Sequence, residues 1–110
     1  MSKFHSKKTI VDGIEFDSRK EANRYCELKF MLRSGLITDL ELQPSFELQP
    51  KFKKNGKSYR YIVYKADFKY FDKQQGKIIV EDVKGLKTEV YKLKKKMFEY
   101  HYPDLEIVEV

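Results

Sequence analysis

The sequence has a single cysteine, no tryptophan, three prolines and two histidines among 110 residues. One cysteine excludes an internal disulfide framework and a cysteine-built zinc module, and it fits a reducing compartment such as a cytoplasm. His5 and His101 have no neighbouring ligand types, so neither a histidine metal site nor a triad is expected. No apolar run approaches the ~18 residues of a membrane span. The basic start, MSKFHSKKTI, lacks an apolar centre and does not read as a secretory signal. Repeats, low-complexity tracts and Ser/Pro-rich linkers are missing too, so one domain over 1–110 is expected, with 1–16 as a basic arm and small hairpin. Charge and aromatics are what the chain does contain. Eight Tyr and eight Phe can build one core, while 36% charged residues demand an ionic surface. The excess of 23 Lys and Arg over 17 Asp and Glu points to a polyanionic partner, although such an excess also occurs in proteins that bind none.

Turn dipeptides punctuate the chain. Asp12-Gly13 and Asn55-Gly56 carry the residues that type I′ hairpin turns favour, and Asp72 to Gly76 is a looser turn. Three antiparallel strands are expected at about 38–54, 57–71 and 77–84, the first interrupted by Pro44 and Pro50. A helix should start at Asp17 or Ser18 and stop at Gly35, with Glu21, Tyr25, Leu28 and Leu32 on one stripe. A second should run from near Thr88 to Pro103, turning Val90, Leu93, Met97 and a half-buried His101 inward, with Tyr91 and Phe98 beside them. A last strand covers 105–110. A helix between strands 77–84 and 105–110 is a βαβ crossover, which makes those strands parallel. The expected fold class is α/β, an αβββαβ core with helices flanking a mixed β-sheet.

The third strand carries the chemistry. Period-two alternation places Ile78, Val80, Asp82 and Lys84 on one face and Ile79, Glu81 and Val83 on the other. Ile62, Tyr64, Ala66, Phe68 and Tyr70 form the apolar face of the second strand, so Asp67 points the opposite way. If the two strands are antiparallel neighbours, Asp67 and Asp82 converge. Two carboxylates beside a lysine form a hard-cation site with a polarising group; Mg2+ suits it, needing only one or two carboxylates and keeping waters for a phosphate substrate.

These residues resemble the hallmark of the PD-(D/E)XK nuclease superfamily: an acid on the second strand and (D/E)-x-K on the third, often followed by Gly. The matching positions are Asp67 in ADFKY and Asp82-Val83-Lys84-Gly85 in VEDVKG. Glu21, in FDSRKEANRY, matches the first-helix acid that many members add. With LQP at 42–44, and Lys87-Thr88 ahead of a Lys-rich helix, residues 8 to 110 are similar to a small phage-encoded endonuclease family of Holliday-junction-resolvase type. One departure is Ala66 where the superfamily often has Pro. The resemblance implies a restriction-endonuclease-like fold and hydrolysis of DNA phosphodiester bonds with Mg2+, for which Mn2+ substitutes. It implies metal ligands at Asp67, Asp82, Glu21 and the Val83 carbonyl, with Lys84 orienting or deprotonating the attacking water or stabilising charge at phosphorus. It places the protein in phage recombination or DNA processing in a host cytoplasm. Selectivity for junctions would favour a homodimer, two sites for two strands, although no surface marks itself as the interface.

Blander roles stand beside these. Asp82 and Lys84 could be a surface ion pair worth about 0–1 kcal/mol. Ser18 to Glu21 reads as a capping box, which gives Glu21 a purely structural role. Glu81 is expected to be structural, and becomes the reserve ligand only if the strand bulges. Gln43 is as much a strand-end hydrogen-bonding residue as a site residue, and Cys26 is read as packing. Lys51, Lys53, Lys54 and Lys57 surround the Asn55-Gly56 turn with no acid among them; Lys87, Lys92, Lys94, Lys95 and Lys96 follow the third strand. Of these, Lys53, Lys54, Lys57, Lys87, Lys92, Lys95 and Lys96 are the expected contacts to backbone phosphates, which carry little sequence preference. Tyr59, Tyr61 and Tyr91 are candidates to stack on bases, with packing as the default. The alternatives to a DNA endonuclease are a non-catalytic DNA-binding protein that kept the fold and an RNA-directed nuclease.

Overall fold

A computed structural model of the chain describes residues 7–83 and 87–110. Lys84 and Gly85 of the expected motif, and His5, lie outside them. The opening hairpin pairs β1 (Thr9–Val11) with β2 (Ile14–Phe16) through Asp12 and Gly13, which both take the positive φ of a type I′ turn. Helix α1 (Arg19–Arg33) follows, capped by Ser18 as expected and ended by Gly35 at φ +79°. It buries Glu21, Ala22, Tyr25 and Leu28, close to the expected stripe. Cys26 lies on the exposed side of this helix, which corrects its reading as a packing residue.

The three expected strands exist as two long, interrupted strands and a shorter third. The outgoing one comprises β3 (Ile37–Leu42), β4 (Ser45–Gln49) and β5 (Phe52–Lys54); the returning one comprises β6 (Lys57–Tyr59), β7 (Ile62–Lys65) and β8 (Phe68–Asp72). Breaks fall where sequence chemistry demands them. Gln43 adopts φ 50° just before Pro44, and Pro50 supplies no N–H to its ladder. Across the first break the pairing continues, since the Gln43 N–H donates to the Asp67 carbonyl and the Ala66 N–H to the Pro44 carbonyl. The strands nonetheless turn out of one sheet and into another. Only β3 and β8 join β9 (Lys77–Asp82) and β10 (Ile107–Glu109), in the order β10-β9-β8-β3. β9 and β10 are parallel and the other neighbours antiparallel, as the crossover requires.

The turn out of the sheet overturns one expectation. Ile62, Tyr64, Ala66, Phe68 and Tyr70 do not line a single face. Phe68 and Tyr70 pack with Phe16, Tyr25, Leu28, Ile37 and Ile79 under α1, whereas Tyr64 and Ala66 pack on the α2 side. Helix α2 (Glu89–His101) begins at its Thr88 cap as expected, but its inward stripe is rotated. Tyr91 and Phe98 are buried and meet Tyr64, Phe46, Val80 and Ile107, while Val90 and Leu93 are more than half exposed and His101 is exposed. Phe98 stacks edge-on to Phe46 at 4.9 Å and to Tyr64 at 5.5 Å, and these large ring contacts set the helix's rotation in preference to the smaller Val90 and Leu93. The class is a mixed α+β fold with one helix against each side of the mixed sheet. Among the described residues no helix is long and apolar enough to cross a membrane.

Candidate functional site

The site is built by register. β8 and β9 pair Phe68 with Glu81, and the Asp67 N–H donates to the Glu81 carbonyl at 3.1 Å. One further step along this ladder sets Asp67 against Asp82, the convergence expected from alternation. Asp67 is held from the β9 side by the Val83 N–H, which donates to its Oδ2 at 2.6 Å. Helix α1 brings the third acid: Ser18 Oγ accepts the Glu21 N–H at 3.0 Å, fixing the first turn, which sets the Glu21 carboxyl beside Asp67. Asp67 in turn lies beside Asp82, near enough for the charge of Asp82 to act on it. Ser18 thus caps the helix through the Glu21 amide, and the Glu21 side chain stands beside Asp67 and the Asp17 backbone. Asp82, 2% exposed, also accepts a hydrogen bond from the Tyr64 hydroxyl. Of the expected ligand set, Val83 contributes its N–H here, and Lys84 is not among the described residues.

Burial and neighbouring carboxylates disfavour the ionised forms of Asp67 and Glu21. Burial pushes Asp67 up to about 7, with the charges of Glu21 and Asp82 adding to it and the Val83 amide opposing it. Burial also raises Glu21, helped by the charge of Asp17. Burial and the Asp82 carboxylate raise Tyr64, so its hydroxyl remains a donor. The donors are all oxygens, which suits a hard cation such as Mg2+ or Mn2+ and not zinc. Among the described residues no group of three His, Cys, Asp or Glu side chains is spaced to hold a metal ion. Mg2+, however, takes one or two carboxylates and completes its shell with water and phosphate oxygens. Two of these carboxyls would be enough.

Glu81, next in the chain, has a different fate. It faces α1, where Arg24 donates to both its oxygens (Nε to Oε1 at 2.8 Å, Nη2 to Oε2 at 2.6 Å) and Tyr70 donates its hydroxyl. Arg24 also reaches Glu27 at 2.8 Å. The strand does not bulge there, so the reserve ligand stays on the opposite side of the sheet. Neither Arg24 and Tyr70 as partners of Glu81 nor Tyr64 as the partner of Asp82 was anticipated; a second buried acid on one strand was the available signal for them.

The expected phosphate contacts separate into two groups. Lys87 and Lys95 pair with Glu109 at 2.9 and 3.6 Å, and Lys92 pairs with Glu89 at 3.3 Å. Glu109, the β10 neighbour of Asp82, also accepts from the Tyr91 hydroxyl at 2.6 Å. The Lys87 bond, then that of Tyr91, pulls Glu109 down to about 2. Lys87, Tyr91, Lys92, Lys95 and Glu109, with Lys96 and Glu99, line a hollow of about 330 Å³ in which the acids offset part of the positive charge. Tyr91 is buried there, as its packing default predicted. Lys53, Lys54 and Lys57, by contrast, are fully at the surface of the β5–β6 hairpin, with Tyr59 and Tyr61 also exposed. Gln43 joins the site only through its backbone bond to Asp67.

No curated protein and no solved structure matches the chain. The sequence pattern of DUF1064, described as a protein of unknown function, matches it over residues 1–110. A match of that extent, spanning the hairpins, both helices and every member of the acid cluster, makes the chain a member of the DUF1064 family.

Proposed function

We propose that this protein is a divalent-metal-dependent endodeoxyribonuclease, acting in the cytoplasm on DNA intermediates of phage recombination or processing. The observation that supports it is the gathering of Glu21, Asp67 and Asp82 from α1, the β7–β8 junction and β9, with Glu21 and Asp82 buried and Asp67 half-buried. Asp67 and Asp82 would hold the cation, with Glu21 and the Val83 carbonyl beside them. A bound Mg2+ supplies polarisation of the scissile phosphate and a lowered pKa for a coordinated water. The chain's own part is positioning. The Val83 amide fixes Asp67, Tyr64 fixes Asp82, and the Ser18 cap fixes the turn that carries Glu21. Burial raises both Glu21 and Asp67, so a cation that favours their ionised forms would compete with protons for them. Lys84 follows Asp82 at the spacing that would set it against the attacking water. A chain of 110 residues has little room for sequence reading, so selectivity would come from DNA shape or from a second copy of the chain.

Cleavage assays on a four-way junction, flap, duplex, single strand and RNA, with and without Mg2+, test this reading. Metal-dependent cutting of DNA that Asp82→Asn and Lys84→Ala abolish is the expected result; no metal-dependent cutting on any substrate would sink it. A second reading, a non-catalytic nucleic-acid-binding protein with the same fold, is favoured by one observation: among the described residues the acids touch each other and no three are spaced as ligands. Cutting confined to RNA would reassign the substrate.

A further inference from the structure

The net charge of this protein sits in one place. From Leu48 to Ala66 the chain holds Lys51, Lys53, Lys54, Lys57, Arg60 and Lys65 and neither Asp nor Glu. Those six of the 23 basic residues equal the whole excess of +6, so the rest of the chain balances at seventeen against 17 acids. The segment is the distal part of the long hairpin. Beyond the interruption at Pro50, β5 and β6 pair Phe52 with Tyr59, Lys53 with Ser58 and Lys54 with Lys57, closed by Asn55 and Gly56 at positive φ. Every residue from 51 to 61 is exposed. The chain's radius of gyration, 16.0 Å, exceeds the ~13 Å of a compact domain this long, as an outlying arm requires.

Alternation gives the ribbon two different faces, both cationic. Lys54 and Lys57 share one with Phe52 and Tyr59, whose rings stack at 4.7 Å and 8°, with Lys57 Nζ 5.2 Å from the Tyr59 ring. The other face carries Lys51, Lys53 and Arg60. A surface that lies flat on a polyanion needs charge on one side only. A ribbon with cations on both faces is suited to a slot with a phosphate rail on each side. Its thickness with side chains, about 10 Å, fits the ~12 Å major groove of B-DNA and exceeds the ~6 Å minor groove. Its three-pair ladder and turn reach about 10 Å, comparable to the ~8.5 Å depth of that groove.

We propose that the β5–β6 hairpin is a DNA-gripping arm that enters the major groove of duplex DNA tip first, each cationic face against one phosphate strand. The stacked Phe52–Tyr59 pair stiffens the ribbon where it leaves the body. This deepens the nuclease reading, since it names duplex DNA as the partner, but the arm binds without metal or cleavage.

The test is fluorescence anisotropy of a labelled DNA duplex in EDTA over a salt series, with parent, K53Q/K54Q/K57Q and, as a control, K92Q/K95Q/K96Q proteins. Each phosphate contact contributes a slope of about −0.9 in log K against log salt, so the arm variant should lose about 2.7 of slope and, at 0.1 M salt, roughly two orders of magnitude in affinity. The α2 control should lose much less, and both variants should melt with the parent. RNA duplex, whose major groove is deep and narrow, should bind more weakly than DNA duplex, and that preference should vanish in the arm variant. Unchanged affinity in the arm variant, or equal binding of DNA duplex, RNA duplex and single strand, would overturn the proposal. Binding that follows the arm in a protein that cuts nothing would retire the nuclease reading and leave the arm standing.

Discussion

Glu81 and Asp82 are consecutive residues on β9, exposed by 1% and 2%, yet the fold treats them oppositely. Glu81 faces α1 and has a guanidinium across both oxygens with a tyrosine hydroxyl beside it. Asp82 faces a tyrosine hydroxyl on one side and, through Asp67, two more carboxyls on the other. A buried carboxylate with a matched cation is a structural element. A buried carboxylate set among other carboxylates raises the energy of the folded state, which is the arrangement the proposed metal site would relieve. Burial alone would have ranked the two acids together; what surrounds them separates them.

Cleavage should break this comparison first. Asp82→Asn or Asp67→Asn should lower Mg2+-dependent cutting at least 10⁴-fold, about 5 kcal/mol of transition-state stabilisation. Glu81→Gln should keep most of the parent rate per folded molecule; equal losses in all three would erase the distinction drawn here.

Stability should invert the ranking. Arg24→Ala leaves Glu81 buried without its cation and should cost about 3–5 kcal/mol in chemical denaturation, whereas Arg24→Leu with Glu81→Leu should recover much of it. Asp67→Asn removes a charge repelled by its neighbours and should raise the melting temperature at alkaline pH by a few degrees, about 1 kcal/mol.

The pH profile has a definite sign. Asp67 holds its proton in the folded protein up to about 7 and in the unfolded chain only to about 3.9. The folded state therefore binds more protons between those values, and this contribution to stability is full below about pH 4 and is lost as pH rises through about 7. The slope is at most about 1.4 kcal/mol per pH unit for one proton, and the Asp67→Asn profile should be flatter over that window in parallel urea titrations. The smallest effect concerns the exposed side of α1. Thiol labelling of Cys26 in the native protein should proceed readily and shift stability by no more than about 0.5 kcal/mol.

Much of the architecture was legible in the sequence because local chemistry imposed it. Ser18, Thr88 and Gly35 bound the helices, Asp12-Gly13 and Asn55-Gly56 close their hairpins, and the crossover dictates parallel β9 and β10. The meeting of Asp67 with Asp82 followed from alternation plus antiparallel pairing. The rest was set by tertiary packing. Val90 and Leu93 look like core residues by hydrophobicity, but the rings of Tyr91 and Phe98 had partners in Phe46 and Tyr64, and the helix rotated to meet them. A period of two assigns Tyr64 and Phe68 to one face only while the strand keeps its plane. It leaves that plane at the Gln43–Pro44 break, a change no single-strand pattern records.

The segregation of charge has a kinetic consequence. The acid cluster taken by itself repels phosphate, and beyond a Debye length of about 8 Å at physiological ionic strength a balanced body exerts little pull on DNA. On the proposed reading, long-range attraction originates at the Asn55-Gly56 end, and the molecule would meet DNA with that end leading. The carboxyls of Glu21, Asp67 and Asp82 would then arrive afterwards, when the encounter is already committed. Raising salt should slow arrival more than it hastens departure, which makes the order of contact itself an observable in stopped-flow mixing.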